Sequence, residues 1–137
     1  MNAPILNVFI SQPMHGLSDK EIKARRRKIV SKIKKSYKHL KKCLDRANVE
    51  YDDRWLRSHF QDVRVTVVNP IHRKDAPENA GRLWYLGQAI SDLEKADLVI
   101  FAKGYSLAKG CRVEWETVRT YEIPYFYEEE LEHCDLF

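Results

Sequence analysis

"DLVIFA", residues 97–102, decides the fold, because every residue after Asp97 is apolar. A strand with one face in water alternates polar and apolar residues, whereas a strand covered on both faces does not. The run therefore predicts a strand inside a parallel sheet. Upstream of it, Ala80, Leu83, Leu86, Ile90 and Leu93 recur at helical spacing. Downstream, the loop "KGYSLAKG" leads to a helix from about Cys111 to Tyr121, and "IPYFY" (123–127) reads as a closing strand.

The pattern extends toward the amino terminus. "NVFIS" (7–11) is a short apolar strand, ended by "QPMHG", where Pro13 and Gly16 force a loop. Ser18 followed by Glu21 is a capping box that starts a helix. Ile22, Ile29, Ile33, Tyr37, Leu40 and Leu44 then form one helical stripe ending near Asn48, with basic residues on the other faces. "VRVTVV" (63–68) is a β-branched strand stopped at Asn69 and Pro70. Residues 48–62, with Trp55, Leu56 and Phe60, read as an irregular, partly helical insertion, and residues 128–137 as an acidic tail.

The order β-α-β-α-β-α-β predicts an α/β fold: one flavodoxin/Rossmann-like three-layer sandwich over residues 1–137, with four to five parallel strands. Such sheets bind ligands beyond the carboxyl ends of their strands, where the strand order reverses. "SQPMHG", "NPIH" and "KGYSLAKG" meet there.

Composition narrows the function. The 137 residues are 44% hydrophobic and 32% charged, an ordinary globular profile. No apolar run approaches the roughly 20 residues that span a bilayer, and "MNAPILNVFISQPM" lacks a basic n-region. Three scattered cysteines suit a reducing compartment, so a cytoplasmic protein is expected, with no membrane partner. The net charge of +4 is concentrated in residues 20–46. No aromatic residues interleave there as a base-stacking platform, so a solvated helix face is the better reading and nucleic-acid binding is not expected. The sequence has no G-x-x-x-x-G-K-[ST], no G-x-G-x-x-G after the first strand, and no paired histidines at metal-binding spacing. Neither a cofactor nor a metal is expected.

The carboxylates carry more. Glu114 and Glu116 lie two residues apart in "GCRVEWETV" (110–118), so they cannot share a helix face. Glu116 reads as solvent-facing. Glu114, in the first turn, borders a sheet-facing side formed by Val113, Thr117 and Val118; alternatively it simply complements the helix dipole. Asp92, near the end of the second helix, is unfavourable for that helix's dipole, which suggests another duty.

"FISQPMHG", "NAGRLWYLG" (79–87), "SDLEKADLVIFA" and "GCRVEWETVRTYEIPYF" together resemble the signature segments of the nucleoside 2-deoxyribosyltransferase-like superfamily, in particular a small branch common in phages and bacteria. The resemblance spans nearly the whole chain, apart from residues 48–62 and the acidic tail. It implies cleavage or transfer of the N-glycosidic bond of a nucleoside or nucleoside 5′-phosphate. Glu114, four residues after Gly110, would be the nucleophile, and Asp92 would help hold sugar and nucleophile. Ser11, Gln12, Pro13, Met14 and Gly16 would line the pocket, joined by Asn69 and Gly110 at the same edge. Arg82 and Arg112 would suit a phosphate. Trp84 and Tyr85 read as core or interface residues. The resemblance also implies a homo-oligomer.

One position departs from that pattern. The transferases place an aspartate six residues before the nucleophile to handle the base; here that residue is Ala108. The departure keeps a second reading open: capture, without turnover, of a nucleotide-derived, ADP-ribose-like molecule.

Overall fold

The computed structural model describes residues 3–72 and 74–133. Four strands form one all-parallel sheet: β1 (Ile5–Ser11), β2 (Arg64–Val67), β3 (Leu98–Phe101) and β4 (Tyr125–Tyr127), in the order β2-β1-β3-β4. The chain leaves β1 for one neighbour and returns to the other, so the order reverses between β1 and β3. Helices cover both faces, which makes the flavodoxin/Rossmann-like three-layer arrangement.

Alternation along the strands divides the core. Leu6, Val8 and Ile10 of β1, with Leu98 and Ile100 of β3, face one helical layer. Phe9, Val99 and Phe101 face the other. All eight residues are at most 1% exposed. That double burial is why β3 reads as a solid apolar run.

The first layer holds α1 (Asp19–Ile33), α2 (Tyr37–Arg46) and α3 (Asp53–His59). The expected capping box is present: Ser18 Oγ accepts from Glu21 N–H, and the Glu21 side chain accepts from Ser18 N–H. The single helix expected up to Asn48 is two helices. Ser36 takes an extended conformation and caps α2 by accepting from His39 N–H, so the chain breaks while the apolar stripe continues. Ile29, Ile33, Leu40 and Leu44 all pack in one cluster across that break. The stripe had registered packing, not helix continuity.

Residues 48–62 are partly helical, as expected. They contain α3 and a 3₁₀ turn (Phe60–Asp62), Asp52 caps α3 by accepting from Trp55 N–H, and Leu56 is fully buried. This segment packs Leu56 into the cluster on one face of the sheet. The second layer holds α4 (Arg82–Asp92) and α5 (Lys109–Thr120). Among the described residues no helix is long and apolar enough to cross a membrane.

The expected acidic tail begins as a helix, α6 (Glu128–Glu132), with Leu131 in the core and Glu128 4% exposed; residues 134–137 lie outside the described residues. Glu128 accepts from Lys103 N–H at 2.9 Å, Lys32 Nζ at 2.6 Å and Arg25 Nη2 at 3.1 Å. Burial favours its neutral form, yet the bonds from Lys32 and Lys103 hold its carboxyl below the usual range. The ion pairs are half-exposed, so their worth is discounted for screening. Glu128→Gln should therefore lower unfolding free energy by about 1–2 kcal/mol near neutral pH. A lowered folded pKa stabilises above the unfolded value and loses that contribution as pH falls through the folded one. Denaturant titrations should thus show the variant and wild type converging in acid; a difference that persists unchanged there would contradict this role for the carboxylate.

Candidate functional site

The carboxyl ends of β1, β2 and β3 bring together the residues that the three loops promised. Ser11 is the last residue of β1, and its hydroxyl donates to Glu114 Oε1 at 2.7 Å. Both side chains are buried, Ser11 at 1% and Glu114 at 8% exposure. Helix α5 begins at Lys109, earlier than the expected Cys111, so Glu114 lies in the second turn and the first turn has no acidic residue. The dipole's effect fades within the first turn, which weakens the reading of Glu114 as a simple dipole partner.

Helical periodicity then separates the two glutamates. Cys111, Glu114 and Val118 form the buried stripe of α5, while Arg112, Val113 and Glu116 are exposed. Glu116 faces solvent, as expected. Val113 does not face the sheet: it is 43% exposed, and the stripe is set by 111, 114 and 118 instead.

A third charged group completes the cluster. Arg26 of α1 is 8% exposed; its Nε donates to Gln12 Oε1 at 2.6 Å, and its Nη1 donates to the Asn69 carbonyl. Asn69 in turn clamps β1. Its Nδ2 donates to the Ile10 carbonyl at 2.8 Å, and its Oδ1 accepts from Ile10 N–H at 3.0 Å. Beyond the end of β2, that amide supplies the pairing a further strand residue would have supplied. Ser11, Gln12, Asn69, Arg26 and Glu114 thus form one buried polar cluster at the reversal point between β1 and β3.

Arg26 is the residue the sequence pattern hides. The apolar stripe of α1 steps by seven from Ile22 to Ile29, and Arg26 fills the skipped inward position. An arginine at an inward position requires partners, because an unpaired buried charge is costly.

The environment tunes both charges. Burial pushes the Glu114 carboxyl up to about 7, against the opposing pull of the Ser11 bond and the Arg26 charge. Burial also lowers Arg26, which Glu114 partly offsets. Cys111, beside them, is pushed by burial up to about 11, which favours the thiol over the thiolate near neutral pH.

The other candidates stand apart. Asp92 is 3% exposed and bonds His72 Nε2 at 2.6 Å, with Lys95 Nζ at 3.5 Å; no hydrogen bond or ion pair joins it to Glu114. His72 holds a left-handed φ of 63° and lies along α4 between Trp84 and Asp92, its Nδ1 3.1 Å from Asp75. Burial would lower the imidazole's pKa, but its bonds to Asp92 and Asp75 raise it. Trp84 is half-buried and Tyr85 is 38% exposed. Pro13 is half-buried; Met14, Gly16, Arg82, Gly110 and Arg112 are exposed. An open groove of about 550 Å³ runs along the outer face of α5 from Lys109 to Tyr121 and includes Arg112 and Glu116, not Glu114. Its walls carry no buried polar side chain. Ala108 precedes α5 and caps it with no side chain. Among the described residues no three His, Cys, Asp or Glu side chains are grouped to hold a metal.

Comparison with known proteins finds no matching family model, no matching curated protein and no matching solved structure. The geometry stands on its own.

The raised Glu114 value has a sign that stability can read. The folded state keeps a proton that the unfolded state has lost between about pH 4.5 and 7, so this group's contribution falls as pH rises through that window. Glu114→Gln mimics the protonated form. It should match wild type at pH 4.5 and exceed it at pH 8, by up to about 3 kcal/mol. Chemical denaturation at the two pH values checks this. A variant less stable than wild type at pH 8 would make the carboxylate a structural partner after all.

Proposed function

We propose that the protein breaks or transfers an N-glycosidic bond in a nucleoside or nucleoside 5′-phosphate, as a member of the nucleoside 2-deoxyribosyltransferase-like superfamily. The observation that carries this reading is Glu114: a buried carboxylate, oriented by Ser11 and faced by Arg26, at the ligand edge of a doubly wound sheet. A carboxyl group raised to about 7 is held at a cost to the fold, as reactive groups commonly are.

In the proposed reaction the ionised Glu114 attacks the anomeric carbon. The C–N bond breaks, its electron pair leaves with the base, and the base takes a proton from solvent. The resulting glycosyl ester yields to water, giving a hydrolase, or to a second base, giving a transferase. The Ser11 hydroxyl fixes the rotamer of the carboxylate. The Arg26 charge favours its ionised form against burial. Asn69 holds the end of β1, and therefore Ser11 and Gln12, in register. Asp92, at the end of α4 and bonded to His72 of the β2–α4 loop, would help hold the sugar. The reading also includes assembly into a homo-oligomer, supported by exposed Leu83 on α4 and Val113 and Tyr121 on and beside α5.

The second reading is capture of a nucleotide-derived molecule without turnover. Ala108 favours it: no acid stands six residues before Glu114 to protonate a departing base.

Incubation with a mixed pool of nucleosides and 5′-phosphates, followed by mass spectrometry, separates the two. Glycosidase activity predicts free base, reduced about a thousandfold or more by Glu114→Gln. The rate should fall as pH drops below about 7, because protonation removes the nucleophile. Ligand recovered intact after long incubation would support capture, and turnover unchanged in the variant would remove Glu114 from the mechanism.

A further inference from the structure

Gln12 follows Ser11 directly and is 4% exposed. Its carboxamide has two ends with different fates. Oε1 accepts from Arg26 Nε at 2.6 Å, which fixes the orientation of the group, since a flipped amide would set its own N–H against a guanidinium donor. Nε2 therefore points away from Arg26. It is buried and has no hydrogen-bond partner.

A buried donor without an acceptor is costly, and each such group in a folded protein requires an explanation. Here the explanation that fits is a ligand oxygen. Gln12 neighbours the Ser11–Glu114 bond in sequence and is tied through Arg26 to the same buried cluster.

The charge of that oxygen follows from its surroundings. Arg26 is the buried cation of this cluster, and its Nε and Nη1 already donate to Gln12 and Asn69. Glu114 is the buried anion that opposes it. One positive and one negative group leave no surplus charge for a phosphate, and a phosphate placed among them would be repelled by ionised Glu114. Arg82 and Arg112 are both exposed, outside the cluster. The cluster suits an uncharged oxygen.

We propose that Gln12 is the specificity residue of this site, its Nε2–H donating to a ring hydroxyl of an uncharged glycosyl group. The inference rests on the glycosidic reading above and adds which chemical feature of the ligand is read, and by which atom. Because Nε2 has no exposed surface, its engagement requires a local shift, and the turn that follows Gln12 is the nearest exposed segment in sequence. Met14, His15 and Gly16 are exposed, Gly16 takes a φ of 78° that favours glycine, and one backbone bond, from Leu17 N–H to the Met14 carbonyl, closes it.

The test measures binding of the four ribonucleosides, their 2′- and 3′-deoxy analogues and their 5′-phosphates to Glu114→Gln protein, in which turnover is blocked. Binding is then repeated with Gln12→Met or Gln12→Glu added. Gln12→Met removes the donor and also the Arg26 partner. Gln12→Glu removes the donor but keeps an acceptor for Arg26, so the fold is retained. The proposal expects one deoxy analogue to bind about tenfold more weakly than its ribonucleoside, and both Gln12 variants to shrink that ratio to about one. In wild-type protein, which keeps the Glu114 charge that Glu114→Gln removes, it also expects the 5′-phosphates to bind no tighter than the nucleosides. No binding by any ribonucleoside, equal binding of all deoxy analogues, a ratio that survives both substitutions, or 5′-phosphates bound tenfold tighter by the wild type would each overturn it. Hydroxyl-selective binding without cleavage by the wild type would sink the glycosidic reading alone. Cleavage without hydroxyl selectivity would sink this inference alone.

Discussion

The burial of Glu114 beside Ser11 and Arg26 is the constraint around which the carboxyl edge of the sheet is organised. Two opposite charges are withdrawn from water there, and neither is fully neutralised by the other. Burial is the largest influence on both groups and disfavours the charged form of each. What makes the arrangement tolerable is the set of bonds around it. Arg26 takes the Gln12 and Asn69 oxygens, Asn69 grips both polar groups of Ile10, and Ser11 donates to Glu114. The ends of β1 and β2 are thus tied to the charge cluster by side chains.

The fold was legible because its strands are short and its helices amphipathic. An apolar run at 98–102, β-branched residues at 63–68 and a capping box at Ser18 each have one structural solution. Where reading failed, tertiary packing had overridden local pattern. The stripe from Ile22 to Leu44 continues through two helices because both lie on the same sheet face, and the break at Ser36 left no gap in the apolar spacing. Residues 48–62 looked polar because only Leu56 of that segment is fully buried, yet Val49, Tyr51, Trp55 and Phe60 pack half-buried against the same cluster. The acidic residues from Glu128 to Glu132 looked like a tail because their cationic partners, Arg25, Lys32 and Lys103, are distant in sequence.

The site was legible in part. Ser11, Gln12, Asn69 and Glu114 come together as their positions at strand ends implied, since a parallel sheet puts every strand's carboxyl end on one side. Arg26 escaped notice because an absence in an apolar stripe looks like noise until the inward face is known. Asp92 shows the reverse: its dipole-unfavourable position hinted at another duty, and its buried bond to His72 accounts for the carboxylate without contact to Glu114. Arg82 and Arg112 are basic groups near the same edge, and both are exposed, outside the buried cluster.

The chemistry proposed for this edge depends on the state of one carboxyl group. A carbon-13 NMR titration of the Glu114 side chain measures it directly, with Glu114→Gln identifying the resonance. A midpoint near 7 is expected, as burial outweighs the Ser11 bond and the Arg26 charge. A midpoint at or below the ordinary glutamate value, about 4.3, would mean that the site welcomes the ionised form, and would return Glu114 to the role of a paired structural anion.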